Sequence, residues 1–114
     1  GVVQSYVHNG SRVAAMVELN CETDFVARTS EFKALAYDLV MQVAAMSPVY
    51  VDSDSIPAGI KNIEDDKVLI KQSFIKEPDK TVGDLITEMV SKVGENVRVR
   101  RFSRFALGED NGAG

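Results

Sequence analysis

The sequence predicts an α+β domain in which a three-stranded antiparallel sheet carries helices packed on one face. Three observations predict it: two β-prone runs joined by a turn signal near the start, two segments with helical apolar spacing, and a third β-prone run near the end. The order strand, strand, helix, helix, strand lets the helices bury one face of such a sheet. At 114 residues with 45% hydrophobic content, the chain is sized for one domain with a modest core.

Val2 to Val7 and Arg12 to Asn20 are the first two strands, and His8-Asn9-Gly10-Ser11 lies between them. Asn-Gly is a strong hairpin signal because both residues tolerate positive φ. In the second run Val13, Ala15, Val17 and Leu19 fall on one parity, with Arg12, Glu18 and Asn20 on the other around Ala14 and Met16. One face is therefore core and the other partly covered. Phe32, Leu35, Ala36, Leu39, Val40, Val43 and Ala44 then follow the three-then-four spacing of a single helical stripe, which predicts a helix from Glu31 to Met46. Thr29 or Ser30 can cap its start, and Ser47-Pro48 ends it because proline disfavours helical geometry in the residue before it.

Tyr50 to Ala58 reads as loop or short extended chain, with Pro57 discouraging a central strand. Gly59 to Pro78 has no readable period and is assigned only as a covering segment, in which Phe74-Ile75 calls for burial. Thr81-Val82-Gly83-Asp84 opens a second helix with the elements of a capping box. Its stripe is Val82, Leu85, Ile86, Met89, Val90 and Val93, and Gly94 supplies a left-handed stop. Val97 to Leu107 is the third strand, long enough to run beside the hairpin rather than decorate an edge; Gly108 to Gly114 reads as a disordered tail.

Composition excludes several classes. A net charge of -4 argues against a domain whose whole surface is built for nucleic acid, leaving room only for a local basic patch. Cys21 is the single cysteine, so no internal disulfide forms and a reducing compartment fits best. No apolar run approaches the ~18 residues of a membrane span, so a soluble protein with no membrane partner is expected. The start at Gly1 rather than methionine leads us to expect a processed chain or a piece of a longer one.

Catalytic chemistry finds little support. Cys21 and His8, the only histidine, are the residue types of a nucleophile and its base, but no glycine-rich oxyanion loop accompanies them, and a cysteine at a strand end is better read as a small packed residue. Glu18, Glu22 and Asp24 are close in sequence but lack the second cluster that a metal site needs. There is no phosphate-cradling glycine-rich motif followed by Lys and Ser/Thr. The sequence reads as a non-enzyme without metal or cofactor.

Two stretches remain. Arg98, Arg100, Arg101 and Arg104, interleaved with Phe102 and Phe105, have the composition of a strand that tracks a nucleic-acid backbone. In/out alternation accounts for most of this, with Arg98, Arg100 and Arg104 on one parity, Val97, Val99 and Phe105 on the other, and Arg101 marking a bulge. The other stretch is Asn20-Cys21-Glu22-Thr23-Asp24-Phe25-Val26-Ala27-Arg28, where a strand stops at a polar turn carrying an aromatic residue beside a carboxylate, just before a helix. A loop held by two rigid elements is a common design for a contact site.

Val17-Glu18-Leu19-Asn20-Cys21-Glu22-Thr23-Asp24-Phe25-Val26-Ala27-Arg28 and Gly94-Glu95-Asn96-Val97-Arg98-Val99-Arg100-Arg101-Phe102 together resemble the core, or dimerisation, domain of elongation factor Ts, the nucleotide exchange factor of elongation factor Tu. Tyr6-Val7-His8, the stretch from Ala44 to Val51, Ile56-Pro57 and Gln72-Ser73-Phe74-Ile75-Lys76 extend the resemblance along nearly the whole chain. It implies a core domain over residues 1–107, shortened to a brief bridge at 58–71 where the family has a longer helical insertion. It also implies that the N-terminal three-helix domain with which members grip the Tu factor lies outside this sequence.

The partner implied is elongation factor Tu, contacted by Thr23, Asp24, Phe25, Val26 and Arg28, with Arg98, Arg100 and Arg104 as a secondary contact. Phe25 would wedge into an apolar gap near the switch region, and Asp24 would help disturb the magnesium site. A homodimer is implied by members with a single core repeat. A ribosome- or RNA-associated module using the basic strand is the alternative. The compartment implied is the bacterial cytoplasm, or the plastid stroma or mitochondrial matrix for an organellar member.

Overall fold

The computed structural model describes residues 1–109. Strands β1 (Val2–Val7), β2 (Val13–Asn20) and β5 (Arg98–Ala106) form one antiparallel sheet in the order β1-β2-β5. The helices are α1 (Asp24–Ala27), α2 (Ser30–Met46) and α3 (Val82–Val93), and β3 (Ser73–Phe74) pairs with β4 (Glu77–Thr81) as a separate two-stranded ribbon. The expected α+β class and three-stranded sheet with helices on one face are present. Because β2 is central, β5 lies beside the hairpin as expected but is itself an edge strand.

The hairpin closes differently from a two-residue Asn-Gly turn. The Ser11 amide donates to the His8 carbonyl, and the positive φ values fall on Gly10 (90°) and Ser11 (57°) rather than on Asn9. Beyond the turn, the pairing of Val2 with Leu19 through Val7 with Ala14 places Ala15, Val17 and Leu19 on the inner face. The opposite face is not covered by any described element. Val3, Val7, Met16 and Phe105 are exposed there.

Helix α2 lies across the inner face. Its expected stripe of Phe32, Leu35, Ala36, Leu39, Val40, Val43 and Ala44 is buried against the sheet. Thr29 is the cap that forms, its hydroxyl accepting from the Phe32 amide, and Ser47 ends the helix in a left-handed conformation at φ 52°. Helix α3 packs beside α2 and the short turn Leu69–Lys71. Its capping box is complete: the Thr81 hydroxyl accepts from the Asp84 amide, and the Asp84 carboxylate accepts from the Thr81 amide. Gly94 stops it at φ 70°.

Residues 59–78 resist reading by period because they contain no long element. Two single-turn helices, Asp65–Lys67 and Leu69–Lys71, lead into the ribbon. The chain is tied back by a parallel bridge between Tyr50 and Val68, with the Leu69 amide donating to the Tyr50 carbonyl. Val68, Leu69 and Phe74 are buried, whereas Ile75 is exposed. Gln42 and Gln72 are the buried polar side chains here, and they satisfy one another. Gln42 Nε2 donates to Gln72 Oε1 and the Ser73 carbonyl, while Gln42 Oε1 accepts from the Ile75 amide. Of the tail expected to be disordered, only Gly108 and Glu109 are among the described residues; residues 110–114 lie outside them.

Candidate functional site

At one end of the sheet β2 stops at Asn20, and Cys21-Glu22-Thr23 carries the chain into the four-residue helix α1. So short a helix cannot sustain itself, since nucleation costs more than one turn of hydrogen bonding returns. Three local devices hold it. Thr23 is its N-cap, with the hydroxyl accepting from the Val26 amide at 3.2 Å. Val26 and Ala27 turn into the core at 5% and 6% exposure, so Val26, expected among the contact residues, anchors the turn instead. The third device is Glu95, in the loop after α3: its Oε1 accepts from the amides of Glu22 and Thr23, both at 3.1 Å, and its Oε2 accepts the Thr23 hydroxyl proton at 2.7 Å. Glu22 answers in the opposite direction, its carboxylate accepting from the Asn96 amide.

Phe25 stands on the outward side of this turn at 80% exposure. An aromatic ring left in water on a firmly held turn has no packing role in the free chain; burying it elsewhere would be favourable. Thr23, Asp24 and Arg28 are exposed around it. Cys21 is half-buried with its thiol donating to the Thr23 carbonyl at 3.2 Å, and His8 lies at the other end of β2 against the Tyr6 hydroxyl. The strand between them keeps the two apart, so no nucleophile and base pair forms. Among the described residues no cluster of His, Cys, Asp and Glu is placed to hold a metal ion, and no helix is long and apolar enough to cross a membrane.

The basic strand is divided by a bulge. Leu19 pairs with Val99 and Glu18 with Arg101, leaving Arg100 as the extra residue, one position before the Arg101 at which the pattern breaks in sequence. The bulge reverses the parity beyond it. Arg104, expected to share a face with Arg98, instead faces inward opposite buried Ala15 and donates from Nε to the Ala44 carbonyl at the end of α2; Phe105, expected on the core parity, is 65% exposed. Arg100 and Arg101 both lie against Glu18, at 3.9 and 2.8 Å. Only Arg98, opposite Asn20, sits at the same end of the sheet as Phe25. The arginines therefore form no continuous basic surface.

The residues sequence reasoning passed over are Glu95 and Glu22 as a pair. Their one sequence signal is that both stand in the two motif stretches, more than 70 residues apart. A sequence model described as Elongation factor TS matches residues 1–72, the strand, turn and helix that carry Phe25 among them. The chain belongs to the elongation factor Ts family. An elongation factor Ts of Carboxydothermus hydrogenoformans is 42% identical over 139 residues, covering 96% of this chain and 64% of that protein. Those of Herpetosiphon aurantiacus and Thermotoga petrophila are 40% and 41% identical, again over 96% of this chain and over 71% and 69% of theirs. The chain thus spans 64% of the Carboxydothermus protein's length, and the 139 aligned positions exceed its own 114 residues, so these members of the elongation factor Ts family carry additional segments.

Proposed function

We propose that this chain is the core domain of an exchange factor that accelerates GDP release from elongation factor Tu, with Phe25 as its wedge. The observation that carries this reading is the contrast at the turn: Phe25 is 80% exposed while Val26 and Ala27 beside it are buried. A rigidly mounted, solvated aromatic is costly to leave in water and ready to fill an apolar gap in a partner. Asp24, at the first position of α1, is the electrostatic companion that disturbs the magnesium site. Magnesium bridges protein and nucleotide phosphates, so a partner that displaces its supporting groups weakens nucleotide binding, and bound nucleotide weakens the partner equally. No bond chemistry is required. Thr23 and Arg28 flank the wedge, and Arg98 at the same sheet end is the secondary contact.

The uncovered sheet face is the surface through which a second copy packs. Val3, Val7, Met16 and Phe105 are apolar and exposed on it, and two copies stacked face to face would bury them as inner faces of a sandwich. Within the bridge at 58–71, residues 58–67 are exposed apart from half-buried Ile63, and the Tyr50–Val68 pairing closes the chain beyond them, so the relatives' extra residues can be accommodated there without disturbing the core. The test is direct: the rate of GDP release from elongation factor Tu is measured with and without the chain. Faster release supports the reading, and an unchanged rate at saturating chain refutes it.

A further inference from the structure

The turn that bears Phe25 is joined to the loop after α3 by two carboxylates that reach in opposite directions. Glu95 accepts from the Glu22 and Thr23 amides and from the Thr23 hydroxyl, and Glu22 accepts from the Asn96 amide. We propose that Glu95 and Glu22 are positioning residues, a reciprocal lock that fixes the direction in which Phe25 is presented. The Thr23 hydroxyl is the connecting part. By donating its proton to Glu95 Oε2 at 2.7 Å, it leaves a lone pair to accept from the Val26 amide at 3.2 Å, so the acid that grips the loop also orients the cap of α1.

Phe25 contributes little to fixing its own position, being 80% exposed, and α1 has only four residues. Burial of Val26 and Ala27 seats the turn from below. The two carboxylates hold it from the side, and they do so through charge-assisted hydrogen bonds, the stronger kind. They also couple the end of β2 to the start of β5, the two strands that meet at the Asn20–Arg98 pair. The functional half of this proposal rests on the exchange-factor reading; the structural half does not.

The experiment uses the whole chain and two readouts, amide hydrogen exchange at Glu22, Thr23 and Asn96 by NMR, and acceleration of GDP release from elongation factor Tu. Glu95→Ala removes three accepted hydrogen bonds and is expected to raise exchange at the Glu22 and Thr23 amides roughly tenfold or more and to lower exchange activity by a similar factor. Glu95→Gln keeps an oxygen for the two amides but places a donor NH2 where Oε2 accepted the Thr23 hydroxyl, so it is expected to fall between wild type and alanine in both readouts. Glu95→Asp keeps the charge but falls short of the loop, and it behaves like alanine. This order separates geometry from charge, which a merely structural acid would not do, and the glutamine and aspartate variants carry the test should the alanine variant unfold. Unchanged amide protection in Glu95→Ala, or wild-type behaviour of Glu95→Asp, overturns the lock. Loss of protection with full exchange activity, while Phe25→Ala is impaired, overturns its positioning role. If Phe25→Ala also exchanges normally, the exchange-factor reading and the positioning role both fall, and amide protection alone decides whether the lock exists.

Discussion

Replacing Phe25 with alanine removes a ring that touches mainly water in the free chain, so the perturbation separates folding from binding. The ring is 80% exposed. A phenylalanine encloses ~150–250 Å² when buried, so covering this one in a partner removes on the order of 150 Å² from water, worth about 4 kcal/mol at ~25 cal/mol per Å². Alanine keeps the β-carbon, and truncation of a central aromatic anchor costs ~2–4 kcal/mol, or roughly thirtyfold to several hundredfold in affinity. Stability should change by less than ~0.5 kcal/mol, because a surface substitution that breaks no cap, ion pair or core contact has little to lose. The assay is stopped-flow release of a fluorescent GDP analogue from elongation factor Tu, titrated with wild-type and Phe25→Ala chain, beside urea unfolding of each. Release acceleration should fall by at least about tenfold while the unfolding midpoints coincide. An unchanged release rate refutes the wedge, and a large shift in the midpoint refutes the claim that the ring is idle in the free chain.

Three further outcomes test the rest of the structure. Gln42→Leu fills a similar volume but leaves Gln72 Oε1, the Ser73 carbonyl and the Ile75 amide without their partner, so urea unfolding should show a loss of about 2–4 kcal/mol. Thr81→Ala removes the hydroxyl half of the α3 capping box and should cost about 1 kcal/mol by the same measurement, less than the buried glutamine because the cap is partly solvated. Met16→Arg places a charge in the middle of the exposed sheet face; if that face pairs two copies, light scattering should show a dimer for the wild type and a monomer for the variant, and a monomeric wild type would dismiss the pairing.

Local chemistry was legible in the two long helices, where a residue acts on its near neighbours within a repeating pattern. The Thr81 to Asp84 box, the Gly94 stop and the α2 stripe from Phe32 to Ala44 are settled within a few residues, so they can be read along the chain. The helix α1 was missed because Thr23, its cap, sits in what reads as a turn, and four residues are too few to show a period. Residues 59–78 were unreadable for a related reason: single-turn helices and a two-residue strand are held by the distant Tyr50 bridge and by Gln42, not by their own pattern. The basic strand shows how one residue changes a face. With Arg100 bulged, Arg104 turns inward to the Ala44 carbonyl and Phe105 turns outward, and no alternation count starting at Val97 can know that register.

Sequence by itself determined the α+β class, the hairpin, the two long helices, the family to which the two motif stretches point, and Phe25 as the conspicuous residue of its turn. These rest on periodicity, capping and short motifs, whose physics is local. Tertiary structure alone decided that Phe25 is solvated while Val26 is core, that the arginines of β5 are split, and that Glu95 and Glu22 grip each other's loops. Each of those depends on what another part of the chain brings alongside, and burial and long-range hydrogen bonding are set only when the sheet and α2 have closed around the core.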